Sequence, residues 1–115
     1  MPGACPPFPS GRPRSFNVTV HGTVFGDRER YLEQVVRGQA LRLAADPPVQ
    51  PEPQVWVHLA SGEPVGHLPD EVGTWLAPWL QKGGHAEAEA IQVHGAEAPS
   101  WRRLVVHVEC KGGED

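Results

Sequence analysis

Proline and glycine interrupt this chain so often that a long helical bundle is out of reach. There are 13 of each in 115 residues. Proline removes a backbone donor and fixes φ, and glycine loses more conformational freedom on ordering than any other residue, so both are costly inside regular elements. Short elements joined by many turns are the expected outcome. A chain of this length makes one domain around one core.

The breaks are unevenly placed, and the stretches between them carry clear patterns. MPGACPPFPSGRPRS (1–15) holds five of the prolines and no hydrophobic period, which reads as a disordered tail. In FNVTVHGTVF (16–25), Phe16, Val18 and Val20 alternate with Asn17, Thr19 and His21, the period of a half-buried strand. Gly22 interrupts it and predicts a bulge or bend where another backbone passes close. DRERYLEQVVRG (27–38) reads as a short helix, with Asp27 as cap, Leu32, Val35 and Val36 inward, and Gly38 as stop. ALRLA (40–44) is a second strand, and DPPVQPEPQ (46–54), with four prolines, is an irregular loop.

VWVHL (55–59) and PVGHL (64–68) form a hairpin about the Ser61-Gly62 turn. The clearest helix follows at 70–84, where Val72, Trp75, Leu76, Trp79 and Leu80 make one apolar stripe interrupted by Pro78. Trp75 and Trp79 are expected to pack as core. AEAEAIQVHG (86–95) and WRRLVVHVEC (101–110) alternate again, and KGGED (111–115) reads as a mobile tail. The expected fold is mainly β with short helices: an OB-like or SH3-like, partly open barrel of about six strands and two helices over residues 16–110.

The formal charge of −4 argues against a generic polyanion binder. Residues 1–45, however, carry six arginines against Asp27, Glu29 and Glu33, a balance of +3, whereas 46–115 stand at four basic against eleven acidic, −7. The basic third leaves room for local phosphate contacts. Cys5 and Cys110 are too few for a disulfide framework and lack CxxC spacing. No apolar run has the length of a signal peptide or of a ~20-residue membrane span, so no membrane partner and a cytoplasmic, reducing setting are expected. The six histidines show no HxH, HxxxH or HExxH spacing, so no metal site is expected. No GxSxG serine and no GxxxxGK[ST] loop is present. With no catalytic residue and no cofactor indicated, a binding module is expected rather than an enzyme.

The order of elements carries more than any single motif. VHGTVF (20–25), LRLAADP (41–47) and PVGHLPDEV (64–72) succeed one another around a short helix, a Pro-rich loop and a hairpin. Taken together they resemble the HIRAN domain, over roughly Phe16 to Cys110. The resemblance implies an OB-like barrel that binds single-stranded DNA, weakly and without catalysis, with preference for a free 3′ end. It further implies that Phe25, His67 and His94 line the pocket mouth; Arg28 and Arg30, at the start of the short helix, stand as candidates for phosphate contacts in place of the family's own. DNA-binding members carry N-P-[YF]-D-x-N-A in the loop after DP. Here that loop reads PVQPEPQ, with Gln50, Glu52 and Gln54 as its polar candidates, and Val24 stands where a basic residue is expected. Two functions therefore stay open: a module for single-stranded DNA or DNA 3′ ends, working beside a helicase, nuclease or other protein partner, or a protein-interaction module on the same barrel that has lost the DNA pocket.

Overall fold

A computed structural model of the protein describes residues 5–47, 49, 51–95 and 97–112. Among these the order is β1 (Ser15–Thr19), α1 (Arg28–Leu32), β2 (Ala40–Ala45), β3 (Val55–His58), β4 (Pro64–His67), α2 (Asp70–Gln81), β5 (His85–Val93) and β6 (Leu104–Lys111), with a 3₁₀ turn at Ser100–Arg102. The strands form one antiparallel sheet in the order β1-β6-β5-β2-β3-β4.

The two outer strands meet. Just past β1, the His21 N–H donates to the His67 carbonyl at 2.8 Å, and the His67 N–H returns a bond to the His21 carbonyl at 2.9 Å. This isolated antiparallel bridge curls the sheet into the expected small, partly open barrel. Gly66 makes the approach possible, because a Cβ there would overlap the His21 carbonyl oxygen and Val20.

Alternation places the core. In β6, Leu104, Val106 and Val108 are fully buried while Glu109 is exposed. They meet Val20, Val55, Val57, Val65, Leu68 and Leu76 inside the barrel. Helix α2 buries Gly73, Leu76, Ala77 and Trp79, places Asp70 and Glu71 at its positive end, and stops where Gly83 takes φ +109°.

Three expectations need correction. Helix α1 ends at Leu32, because the chain then turns through i to i+3 bonds, Gln34 N–H to Tyr31 and Val35 N–H to Leu32, both 3.0 Å. The tighter winding keeps Val35 buried but turns Val36 outward, leaving it 63% exposed. Strand β1 ends at Thr19, since the bridge to β4 draws the chain away and Gly22 turns it at φ +70°. Third, the Pro-rich leader is not a free tail over residues 5–14. Phe8 is buried against Trp75 and Trp79, and the Arg14 carbonyl accepts the Cys110 N–H at 2.7 Å. At the other end Lys111 belongs to β6, and 113–115 lie outside the described residues.

Candidate nucleic-acid interface

The corner where the barrel closes gathers an aromatic and cationic cluster. Its floor is set by strand pairing: Trp56 of β3 lies opposite His67 of β4, with their rings 5.4 Å apart and edge to face. His21, brought in by the closing bridge, lies 6.3 Å from the His67 ring and exchanges a 3.1 Å hydrogen bond with Thr19 Oγ1. The His67 Nδ1 faces the Leu68 carbonyl at 3.0 Å. A carbonyl only accepts, so Nδ1 carries a proton.

Arg28, the first residue of α1, spans the cluster. Its Nη1 donates to the Gly22 carbonyl at 2.9 Å, and its guanidinium lies 4.8 Å over the Trp56 ring and 5.7 Å over Phe25. Among the described residues no carboxylate pairs with Arg28. A Cβ on Gly22 would come within 3.0 Å of the His67 ring and 3.2 Å of Arg28 Nη1, so both the space and the positive φ require glycine. Phe25 stands at the rim, 63% exposed.

Asp46, the acid of the DP pair, holds this platform from behind. One oxygen accepts the Trp56 indole N–H at 2.8 Å and the other the Gln54 N–H at 3.0 Å. Its carbonyl accepts from Gln81 of α2 at 2.7 Å, which ties the Pro-rich loop to the helix. The outcome is a fixed indole, a fixed guanidinium and an exposed phenyl ring within one corner. Such surfaces stack bases and neutralise phosphate.

Of the candidates from the sequence, Phe25, Arg28 and His67 come together here. Arg30 does not: it points outward and pairs with Asp27 at 3.7 Å, both well exposed. His94 lines a different cavity, about 390 Å3, beside Glu29, Glu33 and Arg103, where Arg103 pairs with Glu29 at 2.8 Å. Among the described residues no ring or hydrogen-bond contact joins His94 to Phe25 or His67, and the two carboxylates make its surroundings a poor seat for phosphate. Glu52 lies exposed beside the first turns of α2, next to Asp70 and Thr74. Gln50 lies outside the described residues.

Sequence reasoning missed Trp56 and Asp46. The signal for Trp56 was its place in VWVH, on the face opposite the buried Val55 and Val57. A large aromatic turned away from the core of a strand is a surface feature that asks for a reason. Nearby, His58 has its basicity lowered by burial first and by Arg42 second. Among the described residues, no three His, Cys, Asp or Glu side chains group as metal ligands would.

No protein-family model matches the chain, and no curated protein does. Among solved structures, the chain is similar to the crystal structure of the HIRAN domain of human HLTF. The TM-score is 0.62 at 25% sequence identity, covering 87% of this chain and 77% of that one. The barrel therefore has a HIRAN-like fold, in agreement with the resemblance carried by VHGTVF, LRLAADP and PVGHLPDEV. No helix among the described residues is long and apolar enough to cross a membrane.

Proposed function

We propose that this HIRAN-like domain is a nucleic-acid-binding module that seats single-stranded DNA, and DNA 3′ ends in particular, at the barrel-closing corner, without chemistry of its own. The observation that carries the proposal is the Arg28 guanidinium held between Trp56 and the exposed Phe25, beside His67. In this reading Phe25 stacks a base, Arg28 meets a phosphate, and His67 contacts the backbone next to it. One stacked base contributes about 1–3 kcal/mol, irrespective of its identity, which suits a sensor of strand ends rather than of sequence. The rewritten PVQPEPQ loop leaves few polar groups to clamp a terminus, and the overall −4 charge gives little long-range attraction. Binding is accordingly weak.

The test is an anisotropy titration with a labelled oligothymidine, run with a free 3′-hydroxyl and with a 3′-phosphate. Weak binding that falls with salt is expected, since single strands lose affinity with a log–log slope of about −0.7 per neutralised phosphate. The free 3′ end is expected to bind more tightly, and the DNA is expected to be recovered intact. Equal affinity for free and blocked ends removes the end-sensing part. A flat titration with both removes the nucleic-acid reading and leaves the protein-interaction module.

A further inference from the structure

Against α2, the Pro-rich leader is seated as a ligand would be. Phe8 inserts edge-on between two indoles of α2, 5.8 Å from Trp75 and 5.2 Å from Trp79, and is only 7% exposed. The Trp79 indole N–H donates to the Pro6 carbonyl at 3.1 Å. Pro6, Pro7 and Pro9 border a cavity of about 280 Å3 together with Trp75, Pro78 and Trp79. An indole donor to the carbonyl of a proline run, with aromatic faces against the pyrrolidine rings, is the chemistry by which aromatic grooves hold polyproline segments.

The groove belongs to the barrel, whereas residues 6–9 are held in it by the Phe8 ring and the Pro6 carbonyl, with further bonds at Cys5 and Arg14 on either side. Gly84 lies so close beneath Trp79 that a Cβ would overlap its ring, and Trp75 is braced from inside by Phe16 at 5.7 Å. Between Cys5 and Arg14 the chain forms no strand or helix. Residues 10–13 are exposed, and Gly11 turns at φ +79° between the anchor and β1. Arg14 lies 4.7 Å over the outer face of Phe8, and Arg12 5.8 Å from Trp75.

We propose that the Trp75–Pro78–Trp79 face of α2 is a docking groove for a proline-flanked aromatic segment of a partner protein, with leader residues 6–9 as an internal competitor. The occupant's chemistry is written in the segment already seated, Pro6-Pro7-Phe8-Pro9: a polyproline carbonyl for the indole and one aromatic ring for the slot. Tethering gives the leader an effective concentration of roughly millimolar order, so an outside segment enters only by outcompeting it or once the leader is held elsewhere.

The test uses the full chain, the Phe8→Ala full chain, and a fluorescein-labelled peptide of residues 6–14. The substituted chain is expected to bind the peptide at least tenfold more tightly than the unsubstituted one, and a peptide with Ala in place of its Phe to bind neither. Equal binding by both chains, or unchanged binding of the Phe-less peptide, overturns the proposal. Should the Phe8→Ala chain fail to melt cooperatively, the unsubstituted chain decides. Excess unlabelled peptide is then expected to displace the tethered leader and shift the Phe8 amide resonance of the 15N-labelled chain, and an unmoved Phe8 amide at millimolar peptide overturns the groove. Light scattering is expected to show monomers; a concentration-dependent dimer dissolved by the peptide would give the groove to a second copy and overturn its assignment to a partner.

Discussion

Replacing Phe25 by alanine separates binding from folding. The side chain is 63% exposed, so roughly a third of it is withdrawn from water. Full burial of a phenylalanine is worth about 1.5–3 kcal/mol, which puts about 1 kcal/mol of packing at risk. The cation–π contact with Arg28 at 5.7 Å adds about 0.5–1 kcal/mol at an exposed position. The barrel should therefore lose no more than about 2 kcal/mol, a modest fall in melting temperature. If Phe25 stacks a base, the same substitution removes about 1–3 kcal/mol of binding, so Kd rises about five- to 150-fold. Anisotropy with an oligothymidine at low salt reads the binding, and circular dichroism melting reads the fold. Unchanged Kd on a folded Phe25→Ala domain would refute the assignment of Phe25 as the stacking platform. Loss of cooperative folding would instead show that the rim ring is structural.

Gly66→Ala sets a Cβ against the His21 carbonyl, so a loss of about 2–4 kcal/mol in chemical denaturation is expected, against little loss for Gly73→Ala in α2, where a Cβ meets only ordinary contacts of 3.6 Å or more. His58 has its pKa lowered in the folded domain, so it contributes stability that is present above its usual value of 6.5 and is lost as pH falls below it; Arg42→Gln should raise the His58 pKa measured by NMR and weaken that acid sensitivity. Burial pushes the Cys110 thiol up to about 11, against a weaker opposing pull from Arg14, so at pH 8 iodoacetamide should label Cys5 well before Cys110, as read by mass spectrometry. That raised thiol also contributes stability which is complete below pH 9.0 and falls as pH climbs toward 11. Asp46→Ala strips the acceptor from both the Trp56 indole and the Gln54 amide, and should cost about 1–3 kcal/mol of stability while broadening the Trp56 indole resonance.

Strand alternation was the most legible layer of this chain. β6 reads correctly from Leu104 to Cys110 because one face meets a core and the other water, and a period of two leaves little choice of register. The stripe on α2 was equally plain. What the pattern could not show is what lies beyond an element's own period. Phe8 is a single aromatic in a proline run, and only the two tryptophans on a helix some seventy residues away make it core. Helix α1 was overestimated because Leu32, Val35 and Val36 suit a helical face, yet the tether from the Gly38 N–H to the Ala90 carbonyl at 2.7 Å favours the tighter turn.

For the site, local motifs gave three of its members. Phe25 and His67 stand in VHGTVF and PVGHLPDEV, and Arg28 follows shortly after the first. Their meeting depends on the His21–His67 bridge, a contact across 46 positions that no local pattern encodes. The same topology places His94 instead in a cavity lined by Glu29, Leu32 and Glu33. Trp56 was hidden because a tryptophan within a strong strand reads as core until its alternation is compared with Val55 and Val57.

Amide mapping with a short single-stranded oligonucleotide tests the central claim most directly. Titrated into the 15N-labelled domain, the DNA is expected to move the resonances of residues 22–28 and 65–68 and the Trp56 indole, while those of Glu33, His94 and the α2 tryptophans stay in place. Shifts centred on the His94 cavity or on Trp75 and Trp79, with the barrel-closing corner silent, would contradict it.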